Sequence, residues 1–110
     1  MAKPVDLTLE REIQRAVVEL YEGLGCEVIR FSQPGRRGSG TRQTPGIPDL
    51  RIYCARKRRS WWCEIKTPTG RQSPAQALFQ LIAEACGEAY VLGGMEANLA
   101  HCRAIELLAA

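Results

Sequence analysis

The chain has few of the residues that mark common functional classes. It has one histidine, His101, near the C-terminus with no cysteine or histidine partner at ligand spacing. A structural or solvent-facing role is expected for it. The five cysteines, at 26, 54, 63, 86 and 102, are odd in number and form no Cys-x-x-Cys pair. That argues against a zinc site or a disulfide framework and predicts a reducing, cytosolic compartment. Three fall in predicted strands or at their edges and two in predicted helices, where a free thiol packs as a small hydrophobe. No apolar run approaches the roughly 20 residues of a membrane span, and the polar N-terminus does not read as a signal peptide. No Gly-Lys-Ser/Thr occurs, so a nucleotide cofactor is not indicated. Internal repeats and low-complexity tracts are also missing.

What remains is ordinary in bulk and uneven in detail. At 110 residues, 45% hydrophobic and 25% charged, one domain over residues 1–110 is expected, with an adequate core. A net charge of +3 would not identify a nucleic-acid protein. The clustering is more informative. Between Arg30 and Arg71 lie eleven of the fifteen basic residues but only two of the twelve acids, Asp49 and Glu64. Solvated faces mix signs, so two lone carboxylates in a basic field suggest hard-cation ligands beside a polyanion.

Those two acids flank a predicted β-hairpin. Gly46-Ile47-Pro48-Asp49-Leu50-Arg51-Ile52-Tyr53-Cys54 and Trp61-Trp62-Cys63-Glu64-Ile65-Lys66 are alternating apolar runs around a basic turn, Arg56-Lys57-Arg58-Arg59. Glu64 and Lys66, two apart on one strand, share a face. A turn centred on Lys57 and Arg58 puts Asp49 opposite Lys66 and diagonal to Glu64, at about 5 and about 7–8 Å. Two carboxylates and a lysine then converge on a metal site. The plain alternative is a surface hairpin whose Asp caps a turn and whose Glu pairs with Lys66.

Residues 1–6 read as a lead-in. From about Leu7 to Leu24, apolar residues at 13, 16, 17, 20 and 24 predict a helix with one buried stripe. Thr8 is its expected N-cap, with Glu10 and Glu12 in the first turn. At about 100° per residue Glu10 falls near the stripe and Glu12 on its flank, which favours Glu10 as a third carboxylate. Residues 27–31 predict a strand. Ser32 to Pro45 is either disordered or functional, and its Arg36, Arg37 and Arg42 suit phosphate contact. Trp61 and Trp62 point to opposite faces, so at most one is fully core. The other is expected under a helix, at a subunit interface or on a base, in that order. Ser73 and Pro74 open a helix through Cys86, with a stripe at 78, 81, 82 and 85. Ala89–Leu92 reads as a buried central strand. Met95 to Leu108 reads as a final helix capping the sheet.

Gly46-Ile47-Pro48-Asp49 followed by Glu64-Ile65-Lys66 resembles the split signature of the PD-(D/E)XK nuclease superfamily. The continuation Thr67-Pro68-Thr69-Gly70-Arg71-Gln72-Ser73-Pro74-Ala75-Gln76 resembles the VRR-Nuc family, in which a Gly-rich turn and a Ser-Pro-x-Gln follow the Glu-x-Lys strand. The resemblance spans nearly the whole chain, from the Glu-rich first helix to the strand near Val91. It implies an α/β, restriction-endonuclease-like αβββαβ core with a mixed central sheet flanked by helices. It also implies a Mg²⁺-dependent DNA endonuclease, with Mn²⁺ as substitute. Asp49 and Glu64 would be metal ligands, with the Ile65 carbonyl a third and Glu10 completing the coordination. Lys66 would orient or help deprotonate the attacking water, and Gln76 would position the water or Lys66. Arg56, Lys57, Arg58, Arg59 and Arg71, with the loop arginines, would contact DNA. Small stand-alone members resemble Holliday junction resolvases, which implies branched or four-way junction DNA and a homodimer. Such a lone domain is in keeping with a phage or mobile element. Two other readings stay open: a non-catalytic nucleic-acid-binding module, and a nuclease of different scope, restriction-type or RNase.

Overall fold

The first helix forms as predicted, but its buried face shares only Ile13 and Val17 with the expected stripe and adds Val18 and Tyr21, with Leu20 and Leu24 partly buried. Helix α1, Glu10–Gly23, turns Ile13, Val17, Val18 and Tyr21 inward. The computed structural model describes residues 9–31 and 44–109. Thr8, the expected cap, and Arg36, Arg37 and Arg42 lie outside the described residues. Leu9 occupies the N-cap position and makes no side-chain cap bond. Packing of the stripe, not capping, therefore stabilises this helix.

Three strands follow: β1 (Glu27–Arg30), β2 (Leu50–Cys54) and β3 (Arg59–Ile65). Then come α2 (Pro74–Ala85), β4 (Ala89–Gly93) and α3 (Met95–Ala104). The sheet order is β1-β2-β3-β4. The first two pairings are antiparallel and β3–β4 is parallel, joined by the crossover through α2. This is the expected α/β architecture, a mixed sheet flanked by helices, with α3 added. No described helix is long and apolar enough to cross a membrane.

Strand alternation sorts the sheet into two faces. One carries Val28, Leu50, Ile52, Cys54, Trp61, Cys63, Ile65 and Val91, which form one core with Ile13, Val17, Val18, Tyr21, Cys102 and Leu107. Trp61 is 1% exposed and meets Tyr21 edge-on, ring centres 5.6 Å apart. The Tyr21 hydroxyl donates to Asn98 Oδ1 at 2.5 Å, so these buried polar groups are paired. Trp62 faces the other side and packs edge-on against Phe79 of α2 at 5.0 Å. That is the first of its three expected placements.

Three expectations change. Ala89–Leu92 belongs to an edge strand, not a central one: among the described residues β4 pairs with β3 alone, and only Val91 is buried in it. A short apolar run does not distinguish the two, because one covered face suffices to select it. The α2 stripe does not enter the core: Leu78, Leu81 and Ile82 are 56%, 66% and 56% exposed, and Ala83 alone is buried. Finally α3 stops at Ala104, short of Leu108. Glu106 adopts φ 61°, and the Leu107 and Leu108 N–H groups return to the Cys102 carbonyl.

Candidate active site

The hairpin that carries the site turns one residue earlier than its basic run suggests. Cys54 pairs with Arg59 and Leu50 with Cys63, so the connection is residues 55–58. Arg58, at φ 55°, donates its N–H back to the Ala55 carbonyl at 3.0 Å. One step beyond the Leu50–Cys63 pair, Asp49 stands level with Glu64 and diagonal to Lys66. The sequence reading had the two partners exchanged. All three side chains keep one face of the sheet, so the convergence survives the change of register.

Asp49 is held on both sides. Its Oδ2 accepts the Ile65 backbone N–H at 2.8 Å, and its carbonyl accepts the Phe31 N–H at 2.8 Å. The turn before it lies against the start of α2. Gly46 has φ +79°, and a Cβ there would overlap the Ala75 carbonyl and come within 2.9 Å of the Gln76 nitrogen. The residues Gly46–Asp49 and Ser73–Gln76, distant in sequence, are thus one structural unit.

Glu64 is fully buried. Tyr90 donates its hydroxyl to Glu64 Oε1 at 2.6 Å, and Lys66 Nζ stands 3.7 Å from Oε2, in ion-pair range but too far for a hydrogen bond. Glu64 Oε2 is buried with no hydrogen-bond partner among the described residues. Burial pushes the Glu64 carboxyl above its ordinary range, and the Tyr90 hydrogen bond and the Lys66 charge offset part of that rise. Burial, and then the Glu64 carboxylate, raise the Tyr90 phenol, which keeps it a donor.

Tyr90 is the residue that sequence reasoning missed. It lay inside an apolar run read only as buried strand. Trp62 pairs with Tyr90 and Glu64 with Leu92, so Tyr90 shares the face of Glu64, one diagonal away. Only the parallel register reveals this, and a crossover connection carries no register signal of its own.

Other expected members are placed differently. Gln76 Oε1 accepts the Ser73 N–H at 2.8 Å, while Ser73 Oγ accepts the Gln76 N–H at 3.2 Å. This capping box engages Gln76 Oε1 at the helix start. Glu12 is engaged by Arg15 at 2.7 Å. Glu10 is exposed at the head of the Ile13 stripe. Ile13 itself reaches the Gly94 backbone, which adjoins the Lys66 carbonyl. Among the described residues no group of three or more His, Cys, Asp or Glu side chains is placed to hold a metal ion, so Glu10 does not join Asp49 and Glu64 here. The basic turn is also remote: Arg59 and Glu64 are five positions apart on β3, about 17 Å. Arg71 is exposed between β3 and α2.

The donor set suits a hard divalent cation. Two carboxylates lie side by side, and Glu64 Oε2, with Lys66 at ion-pair distance, has no hydrogen-bond partner among the described residues. Mg²⁺ and Mn²⁺ take such oxygen donors and fill their remaining positions with water and phosphate.

No family model and no curated protein matches the sequence. The chain does superpose on a solved structure described as a VRR_NUC domain, with a TM-score of 0.64. The match covers 84% of this chain and 91% of the other at 23% sequence identity. The fold is that of a VRR-Nuc domain. Within this VRR-Nuc fold, Asp49, Glu64, Ile65 and Lys66 occupy the adjoining ends of β2 and β3, and Tyr90 of β4 supports them from the neighbouring strand.

Proposed function

We propose that the chain is a VRR-Nuc nuclease that hydrolyses DNA phosphodiester bonds with Mg²⁺, or Mn²⁺ in its place. The observation that carries this reading is the buried, unpartnered Glu64 Oε2 beside Asp49 and Lys66. A merely structural carboxylate would have its oxygens satisfied.

Asp49 and Glu64 would hold the ion, with the Ile65 carbonyl adjacent and Glu10 available from α1. When bound, the ion stabilises charge on the phosphoryl oxygens and makes water nucleophilic near neutral pH. The residues supply position and proton control. Tyr90 fixes the Glu64 carboxylate by its hydroxyl, and the Ile65 N–H fixes that of Asp49. Lys66, held beside Glu64, would orient the attacking water and offset charge on the phosphate. The Gln76–Ser73 box fixes the start of α2, against which the Asp49 turn rests.

The basic residues Arg56, Lys57, Arg58, Arg59 and Arg71, with Arg36, Arg37 and Arg42, would bind the DNA backbone without reading sequence. Structure-directed cutting of branched or four-way junction DNA is the substrate reading we take from the resemblance to small stand-alone members of the family. A second copy of the chain would supply the second cut. The exposed Leu78, Leu81 and Ile82 of α2 would form its interface, since an apolar stripe on a small domain is otherwise left in water. Leu81→Glu should give a monomer by light scattering where the parent is a dimer. A parent that is already monomeric discards the interface.

The deciding experiment is cleavage of a labelled four-way junction beside matched linear duplex, single-stranded DNA and RNA, with Mg²⁺, Mn²⁺ or EDTA. Paired, metal-dependent nicks confined to the junction are expected. Metal-dependent cutting of every DNA keeps the nuclease and discards junction selectivity, and cutting of RNA alone reassigns the substrate. Binding without cutting under either metal makes the chain a non-catalytic module.

A further inference from the structure

At the end of the sheet remote from Asp49, antiparallel pairing sets two cysteines against each other. Glu27 pairs with Tyr53, so one step further out Cys26 faces Cys54. Both side chains join the core face that carries Val28 and Ile52. The alternation of ladder bonds fixes the kind of pair. Phe31 donates its N–H to the Asp49 carbonyl at 2.8 Å, which makes those two a hydrogen-bonded pair. Ile29–Arg51 and Glu27–Tyr53, two and four steps along, are of the same kind. Cys26–Cys54 therefore falls on a non-hydrogen-bonded position, where facing Cα atoms are about 4.5 Å apart and side chains stand closest. A disulfide spans Cα separations of about 4.4–6.8 Å.

Neither cysteine hangs on a free loop. The Cys26 N–H donates to the Tyr21 carbonyl at 2.9 Å, and Cys54 ends β2. Cys26 is 7% and Cys54 2% exposed, and both are free thiols. The two thiols are in hydrogen-bonding contact, and burial, then that contact, push the Cys26 thiol up to about 12. Cys102 is a third thiol nearby, but it is engaged with Tyr21. Among the described residues no three such groups are placed to hold a metal ion. What remains open to two facing thiols is to bond to each other.

We propose that Cys26 and Cys54 form a redox site, at which a small-molecule disulfide closes an intrachain bridge between the start of β1 and the end of β2. One cysteine thiolate attacks the small disulfide and releases its first thiol. The other attacks the resulting mixed disulfide and releases the second. The two cysteine protons leave on the released thiols, the cysteines are oxidised and the small disulfide is reduced. Cys26, the more exposed of the two, is the entry point. Thiolate is scarce there near neutrality, so the step is slow and quickens in alkali. Among the described residues β1 pairs with β2 alone, so the bridge fastens an edge of the sheet. Cys54 and Asp49 are five positions apart, about 17 Å, which separates this site from the candidate active site.

The full chain would be incubated with oxidised glutathione at mildly alkaline pH, alkylated, and digested with trypsin without reductant. Cys86, which is exposed, should take up glutathione and show that the oxidant is active. Peptides 16–30 and 52–56, which carry Cys26 and Cys54, should leave as one cross-linked species. The thermal midpoint should rise by about 10 °C or more and return on reduction with dithiothreitol, and Cys26→Ala should show neither change. Cys26 and Cys54 still alkylated once Cys86 is modified, glutathione on each of them, or a bridge to another cysteine overturns the pair. A bridge that leaves the midpoint unchanged overturns its role in fastening β1. None of these readouts is cleavage, so the redox site and the nuclease reading fail or stand separately.

Discussion

Glu64→Gln should abolish cleavage, by about 10³-fold or more, and at the same time raise the thermal midpoint of the metal-free chain. The first effect follows from the chemistry at β3. Losing a single preorganised group at a developing charge costs about 10²–10³ in rate, and Glu64 would also anchor the ion. The second follows from its surroundings. A carboxylate oxygen buried without a partner costs about 1–3 kcal/mol, and Lys66 at 3.7 Å recovers only part of it. Glutamine keeps the shape and the Tyr90 hydrogen bond while removing the charge. A gain of about 1 kcal/mol corresponds to several degrees in a domain of this size.

The pH dependence of that gain has a definite sign. Burial raises the folded-state pKa of Glu64 above its ordinary value of 4.5, so the folded chain holds this proton more tightly than the unfolded one. The stability it contributes is present below about 4.5 and is lost as pH rises through the raised folded value. The difference between Glu64→Gln and the parent should therefore be small in acid and grow toward neutrality. Added Mg²⁺ should narrow it by stabilising the parent alone. Thermal melts at several pH values, with and without Mg²⁺, check all of this. A variant less stable than the parent at neutral pH would show that Glu64 is a structural anchor and not a strained ligand.

The fold was legible because its signals are local. The 3.6-residue stripe of α1, the Ser73–Pro74 start of α2 and the alternation of β2 and β3 each act within a few residues. Asp49, Glu64 and Lys66 were legible for the same reason, together with the depletion of other acids around them. What escaped was pairing. The turn placement depended on Arg58 tolerating a positive φ, which four consecutive basic residues do not advertise. Tyr90 needed a parallel register set by a whole helix. The exposed α2 stripe has the period of a core helix, and period alone does not say whether the apolar face meets its own sheet or a second chain. Gln76 carries a second signal that is just as local: Ser73 three residues before it makes a complete capping box in the sequence.

Gly46→Ala should be the most destabilising Gly→Ala change among the described residues, lowering the thermal midpoint by about 10 °C or more and activity with it. Two independent penalties meet there. At φ +79° any β-carbon carries a cost of about 1–2 kcal/mol. The added methyl would also overlap the Ala75 carbonyl, which is helix backbone and cannot rotate aside as a side chain would. Overpacking of this kind typically costs about 1–3 kcal/mol, and each kcal/mol is worth about 4–8 °C in a small domain. Relief requires moving either the Asp49 turn or the first turn of α2. The first displaces the Asp49 carboxylate from the Ile65 N–H, and the second opens the Ser73–Gln76 box. Gly23→Ala, where a Cβ meets nothing within 4 Å, is the matched control and should be neutral or slightly stabilising. Melts of the two variants, paired with cleavage below the lower midpoint, separate the outcomes. If Gly46→Ala melts with the parent and cuts as fast, the Gly46 turn does not seat on α2 and does not position Asp49.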